Sequence, residues 1–343
     1  MPLIDRVLHC LGVLLYAAGL HRTVMWLTRR IPKVVLYHAV DPEDGDALRD
    51  LDANVPPARF TRHLEFYAQY YTVLPLDRLA HQDIPDHALA ITFDDGYRSV
   101  IQHAAAELAS RSLPATAYVV PGVTGNTRMI WVNELNWLAR NHAAATNRAF
   151  ERAFGQPRGE RPLTPREMID HIRARYATKA VRAMLDAIHH DLGTNASELA
   201  RGLRLYMDWD EVAALQASGL TVGNHTWSHP SVPRLEPAEC LDEVRGGAAA
   251  LSHLPHWVAS FAYPFGDCNP AARDTALQTG HRTVCEVGGV NAPLRCDRIA
   301  RVPVHPHAGS AGLFAELEVV ATVKGLARSL VERLGLRRAK TSS

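Results

Sequence analysis

Short apolar runs alternate with helix-spaced segments along most of the chain. Residues 33–37 (Lys-Val-Val-Leu-Tyr) form the first run, and 71–74, 88–93, 115–120, 220–223, 260–263, 282–286 and 299–304 follow. Between them, 58–70, 76–81, 97–110, 208–218, 237–251 and 270–280 carry apolar residues at helical spacing. Asp208 is a candidate N-cap and Gly219 a candidate helix stop. Strand and helix in alternation predict parallel strands with helices outside. These eight runs are read as about seven barrel strands, which fits an α/β barrel with fewer than the usual eight.

The rhythm breaks over residues 121–206, which are rich in Arg and Ala. Helices are predicted at 132–141, 165–176 and 179–192, so about 124–205 is expected to be a helical insertion between two barrel strands. Trp131 and Glu134 open it just past a strand end. Core packing with a cap is one reading of this pair, and lining a substrate cleft is the other.

Both ends read as amphipathic helices flanking a barrel of residues 32–309. Over 1–31, one helix would present Ile4, Leu8, Leu11, Leu15 and Leu20 on a side, with Arg22, Arg29 and Arg30 at its end. The apolar run 7–20 is shorter than the ~20 residues that span a bilayer, and it lacks a good cleavage signal. Packing on the domain and lying on a membrane surface both fit. Residues 310–343 carry Leu313, Leu317, Val320, Val323, Leu326, Leu330 and Leu334, then a basic end with Arg337, Arg338 and Lys340.

A net charge of +1 offers no sign of a nucleic-acid partner, and 47% apolar residues allow a large core. The five cysteines, Cys10, Cys240, Cys268, Cys285 and Cys296, include no CxxC pair. Free thiols are expected, not a disulfide or cysteine–zinc framework. A cytoplasmic protein, or one peripheral on the cytoplasmic membrane, is expected, with an exported form left open. The oligomeric state is not readable.

The chemistry centres on Asp94 and Asp95, at the end of the 88–93 strand and before Gly96. Two buried carboxylates need a cation or dense hydrogen bonding. His225 and His229 follow another strand, four residues apart, and on a helical turn both rings would project to one side. Strand ends of an α/β barrel share one cavity. Two His and one carboxylate leave an open position on a metal, which is a catalytic and not a structural pattern. The second carboxylate is then free as general base toward water.

Thr92-Phe93-Asp94-Asp95-Gly96, His225-Thr226-Trp227-Ser228-His229-Pro230 and Phe261-Ala262-Tyr263-Pro264-Phe265-Gly266 resemble three motifs of the polysaccharide deacetylases (NodB homology, carbohydrate esterase family 4). Leu36-Tyr37-His38 and Arg301-Val302-Pro303-Val304 add to the likeness, which covers roughly 32–305 outside the insertion. It implies a distorted (β/α)7 TIM-like barrel and metal-dependent removal of N-acetyl, or sometimes O-acetyl, groups from sugars. Carried over, Asp94 is the base, and Asp95, His225 and His229 hold one divalent metal. Zinc is the first choice, with cobalt, nickel and iron as alternatives. Tyr263 would line the groove and offer its backbone N–H to an oxyanion. Pro264 would pre-set that backbone or serve only as a turn.

Two departures follow. The third motif lacks the arginine that orients the base in many members, and Arg301 is expected to take that role or to form a fold-only salt bridge. For the general acid, His305 is the first choice and His38 the alternative. The implied partner is an acetylated glycan or glycolipid. O-deacetylation, a non-catalytic carbohydrate-binding barrel and a membrane-associated scaffold are the competing readings.

Overall fold

The computed structural model describes residues 3–80, 83–155 and 161–333. Among these, the strands are β1 (Lys33–Tyr37), β2 (Thr72–Val73), β3 (Ala88–Phe93), β4 (Ala115–Val119), β5 (Thr221–Asn224), β6 (Trp257–Ala262), β7 (Thr283–Val287) and β8 (Ile299–Pro303). All pairings between them are parallel. β3 to β8 pair in sequence, and β1 closes the ring by pairing with both β8 and β3. The result is a closed seven-stranded barrel, a distorted (β/α)7 fold. β2 adds two residues beside the start of β3 and takes no part in the closure.

β1, β3 and β4 are buried at every position, as expected of parallel strands covered on both faces. Side chains alternate across them. Val34, Ala90, Tyr118, Ala262, Cys285 and Ile299 fill the barrel interior, while Val35, Ile91, Ala117, Val119 and Val222 point outward under the helices. Asp208 caps the helix Trp209–Ala217 in a reciprocal box with Glu211.

The insertion holds five described helices: Trp131–Asn141, Ala143–Phe154, Pro165–Arg175, Thr178–Leu192 and Ala196–Leu203. The sequence pattern shows three of them. Ala143–Phe154 is dominated by Ala, and Ala196–Leu203 is only eight residues long, too short to mark a stripe. The first four pack around their own core, which includes Leu135, Phe150, Ile169, Ile172 and Leu185.

The chain start differs from the single helix expected. Leu3–Ala17 and His21–Thr28 are separate helices that meet at 116°. Leu8 and Leu15 face the domain core, but Ile4, Leu11 and Leu20, expected on the same side, are exposed. The described C-terminal stretch runs through Ser310–Phe314, a wider turn Ala315–Val320, and Ala321–Arg333. It lies antiparallel to Leu3–Ala17: His9 Nδ1 is 2.7 Å from Glu316 Oε1, and Lys324 Nζ donates to Asp5 Oδ2 at 2.7 Å. Gly12 permits this approach, since a Cβ there would lie 2.6 Å from Ala315 Cα. The buried pair Lys33–Glu318 ties the same stretch to β1, and Tyr71 Oη donates to Glu318 Oε1 at 2.6 Å. Leu334, Arg337, Arg338 and Lys340 lie outside the described residues.

Candidate metal centre

After Phe93 the chain turns sharply, with Asp95 and Gly96 both at φ 70°. Glycine tolerates that region and an aspartate only uncommonly. The turn keeps both carboxylates at the C-terminal mouth of the barrel, where neighbouring strand ends converge. Asp94 N donates to Tyr37 O at 2.9 Å, which fixes the start of the turn.

Arg301 reaches Asp94 from β8, through the barrel interior. Nη1 donates to Oδ1 at 2.6 Å and Nη2 to Oδ2 at 2.7 Å, a bidentate pair. The guanidinium also lies 5.3 Å from the centre of the Tyr118 ring. Burial pushes the Asp94 carboxyl upward, but Arg301 and then His225 outweigh it and hold it below the usual carboxylate range.

His225 follows β5 directly. Its Nδ1 donates to Ala262 O at 2.7 Å, because a carbonyl can only accept. In the neutral ring Nε2 then carries the lone pair, and it faces Asp95 Oδ1. The expected helical turn between His225 and His229 is absent: the segment is a loop in which Thr226 (φ 68°) and His229 (φ 61°) are left-handed. Thr226 Oγ1 accepts from His229 N at 3.0 Å, and Glu243 holds Ser228 through its backbone N and hydroxyl at 2.8 and 2.6 Å. The loop brings the two rings together where the four-residue spacing by itself would not.

His229 Nε2 lies 3.1 Å and His225 Nε2 3.4 Å from Asp95 Oδ1. One donor atom from each of the three residues falls within 4.8 Å of the others, and all three residues are buried. Among the described residues Asp95 Oδ1 has no hydrogen-bond partner, nor has His229 Nδ1. An orphaned buried carboxylate oxygen facing two imidazole nitrogens is a good fit for a divalent cation. The hydrogen bond from His225 to Ala262 is the kind of outer contact that orients such a ligand. Burial raises the Asp95 carboxyl, but His229 and His225 outweigh it and hold it well below its ordinary value.

A cleft of ≈ 380 Å³ opens over these groups. His38 lines it, two residues past the inward-facing Leu36 of β1. His305 does not: it is exposed beside His307, in a neighbouring trough on the far side of Pro303. The first-choice acid of the sequence reading is thus out of the cleft and the alternative is in it. Tyr263 is also displaced. Since Ala262 faces the barrel interior, alternation sends Tyr263 outward with Phe261, against Cys240, Val244 and Ala276. Its backbone N donates to Cys285 O at 3.2 Å, so that N–H is not free for an oxyanion. Pro264 is buried and begins a short 3-10 turn, and it does not line the cleft.

Trp131 and Glu134 belong to the insertion's core and not to the cleft lining. Trp131 is buried in that core, its ring 5.9 Å from Phe265. Glu134 is paired with Arg182 at 2.8 Å and lies 3.3 Å from His189. Other residues do reach the cleft: Asp52, Asn133, Arg173 and Phe265. Phe265 (φ 61°) packs its ring 4.8 Å from that of His229. It falls within the third motif, so it was open to notice. Arg173 has no signal of its own in an arginine-rich helix. It makes a bidentate pair with Asp267 at 2.7 and 2.8 Å, which ties the insertion to the Phe265 loop.

The family model for polysaccharide deacetylases matches residues 81–284, more than half of the chain. The chain belongs to the polysaccharide deacetylase family. Deacetylases of this barrel type also appear among similar solved structures. The Streptococcus pyogenes deacetylase PplD, in complex with acetate, shares 15% identity at a TM-score of 0.55, covering 85% of this chain and 100% of that one. IcaB from Ammonifex degensii shares 19% at 0.54, covering 83% and 97%. A de-N-acetylase from Aggregatibacter actinomycetemcomitans shares 14% at 0.52, covering 82% and 99%. These likenesses establish a common fold. Comparison with curated protein sequences gives no match. The family carries carbohydrate deacetylation, and the Asp95, His225 and His229 cluster gives this member a possible metal site.

Proposed function

We propose that the cleft hydrolyses the N-acetyl group of an N-acetylated sugar in a polysaccharide, such as an exopolysaccharide, or in a lipid-linked glycan. The carrying observation is the division of two adjacent carboxylates: Asp94 is gripped by Arg301, while Asp95 faces two histidines.

A divalent ion held by Asp95, His225 and His229 would supply an acidified water and polarise the acyl carbonyl. Zinc suits two His and one carboxylate, with cobalt, nickel and iron as alternatives. Asp94 takes the proton as water adds to the acyl carbon. Arg301 keeps Asp94 oriented and ionised until that moment. His38, across the cleft, gives a proton to the departing nitrogen as the C–N bond breaks. Acetate and a free amino sugar leave. N-deacetylation is preferred over O-deacetylation because a leaving amine needs a proton donor, a role that His38 of the cleft lining would fill. The resemblance to a de-N-acetylase is in keeping with this choice.

Acetate release from N-acetylhexosamine oligomers and from acetylated glycolipids, by metal-loaded wild type and by Asp94→Asn, tests the reading. A protein that binds these glycans and a metal but releases no acetate would be a carbohydrate-binding barrel instead.

A further inference from the structure

The two N-terminal helices turn an apolar face to solvent. Leu3, Ile4, Val7, Leu11 and Leu14 of Leu3–Ala17 are between 46% and 77% exposed, and Leu20, Trp26 and Leu27 extend the surface. None of them is needed for docking on the barrel, which uses Asp5, Leu8, His9, Gly12, Leu15 and Tyr16. On either side of Lys324 the antiparallel C-terminal helix leaves Val323, Leu326 and Leu330 exposed as well. Contiguous exposed apolar surface of this kind marks an interaction site.

Charge identifies the occupant. Over residues 3–30 the single acid is Asp5, and it is buried against Lys324. Arg6, Arg22 and Arg30 are exposed around the apolar face. Arg29 stacks on exposed Trp26, 4.5 Å from its ring centre, and also pairs with Asp86 at 3.0 Å. A second copy of the chain would set these arginines against one another across a two-fold axis. An anionic lipid surface would meet them with phosphates. Each helix is also too short to cross a bilayer: 15 residues rise about 22 Å, against a hydrocarbon core of ~30 Å. The 116° bend suits helices lying in the interface.

We propose that this face docks in the plane of an anionic bilayer, with the leucines among the acyl chains and the arginines at the headgroups. A trough lined by Asp5, Val302, Val304 and Val320 shares Asp52 and Pro303 with the cleft. The docked helices therefore start one trough away from the proposed active site. The inference stands on the helices alone, so a failed acetate assay does not affect it.

Flotation of the full chain with phosphatidylglycerol–phosphatidylcholine vesicles, and with phosphatidylcholine alone, tests it. Wild type is expected to float with the anionic vesicles and at least tenfold less with the neutral ones. Ile4→Ser/Val7→Ser/Leu11→Ser/Leu14→Ser is expected to lose flotation tenfold or more with an unchanged melting temperature. Arg6→Gln/Arg22→Gln/Arg30→Gln keeps the apolar face and is expected to lose the preference for anionic lipid. Wild type that stays unbound to anionic vesicles, or a serine variant that floats as well as wild type, would overturn the proposal. So would a stable dimer in sedimentation that the serine substitutions dissociate, since the occupant would then be a second copy.

Discussion

Arg301 holds Asp94 by two parallel hydrogen bonds of 2.6 and 2.7 Å, between side chains that are almost wholly buried. Removing one partner would leave the other charge uncompensated, which typically costs about 3–5 kcal/mol. Arg301→Ala is therefore expected to lose that much stability in denaturant titrations. Arg301→Lys keeps a positive charge but cannot make the fork. It is expected to lower kcat about 100-fold with KM little changed, the scale of a misplaced catalytic group. Unchanged kcat in Arg301→Lys would reduce the pair to a structural device.

Chelation followed by titration with zinc is expected to show one site per chain. His225→Ala and Asp95→Asn should each weaken binding by about 100-fold or more, given the affinity that even outer contacts of a metal ligand contribute. Arg111→Ala, at the far end of a surface helix and paired with Glu107, touches none of the three donors and should bind zinc as wild type does. Elemental analysis and calorimetry read the stoichiometry and affinity directly, without reference to activity.

Arg173 links the insertion to the catalytic mouth. Its pair with Asp267 and its position 4.8 Å from the centre of the Phe265 ring steady the loop against His229. The pair is about one third exposed, so its loss is expected to cost about 1 kcal/mol or less in stability. Its effect on kcat/KM should be larger, about tenfold, because the loop lines the cleft. Steady-state kinetics beside thermal melts of Arg173→Ala separates the two.

His63 sets a pH dependence away from the metal site. It is buried between the Tyr37 hydroxyl and Ala308 O, and burial lowers its pKa from 6.5 to about 4. The unfolded chain therefore binds the extra proton first as pH falls. The contribution to stability is full above 6.5 and is lost as pH drops toward 4. Between pH 7 and pH 5 that loss is about 2 kcal/mol. His63→Gln should flatten the pH dependence of unfolding by that amount. An equally steep curve in the variant would place the effect on other buried histidines, such as His281.

The convergence of Asp94, Asp95, His225 and His229 was legible because each follows a strand, and strand ends of a barrel share one cavity. Arg301 was legible because the third motif lacks its own arginine. The helical reading of His225–His229 failed because spacing says nothing of the left-handed Thr226 and His229 that shape the loop. Tyr263 lies outside the cleft for a simpler reason. Two-residue alternation along β6 turns it outward once Ala262 faces in, and the same rule along β1 turns His38 inward. Arg173 could not be singled out, since its partner Asp267 lies 94 residues away and neither end of the pair has a local pattern.

The most direct measurement is the joint release of acetate and free amine from an N-acetylhexosamine oligomer by the zinc-loaded protein. One amine per acetate is expected, with the rate in Asp94→Asn lower by at least about 10³-fold, on the order of a lost general base. Acetate from an O-acetylated glycan, with none from this oligomer, would make the enzyme an O-deacetylase. An undiminished rate in Asp94→Asn would contradict the division of roles between Asp94 and Asp95.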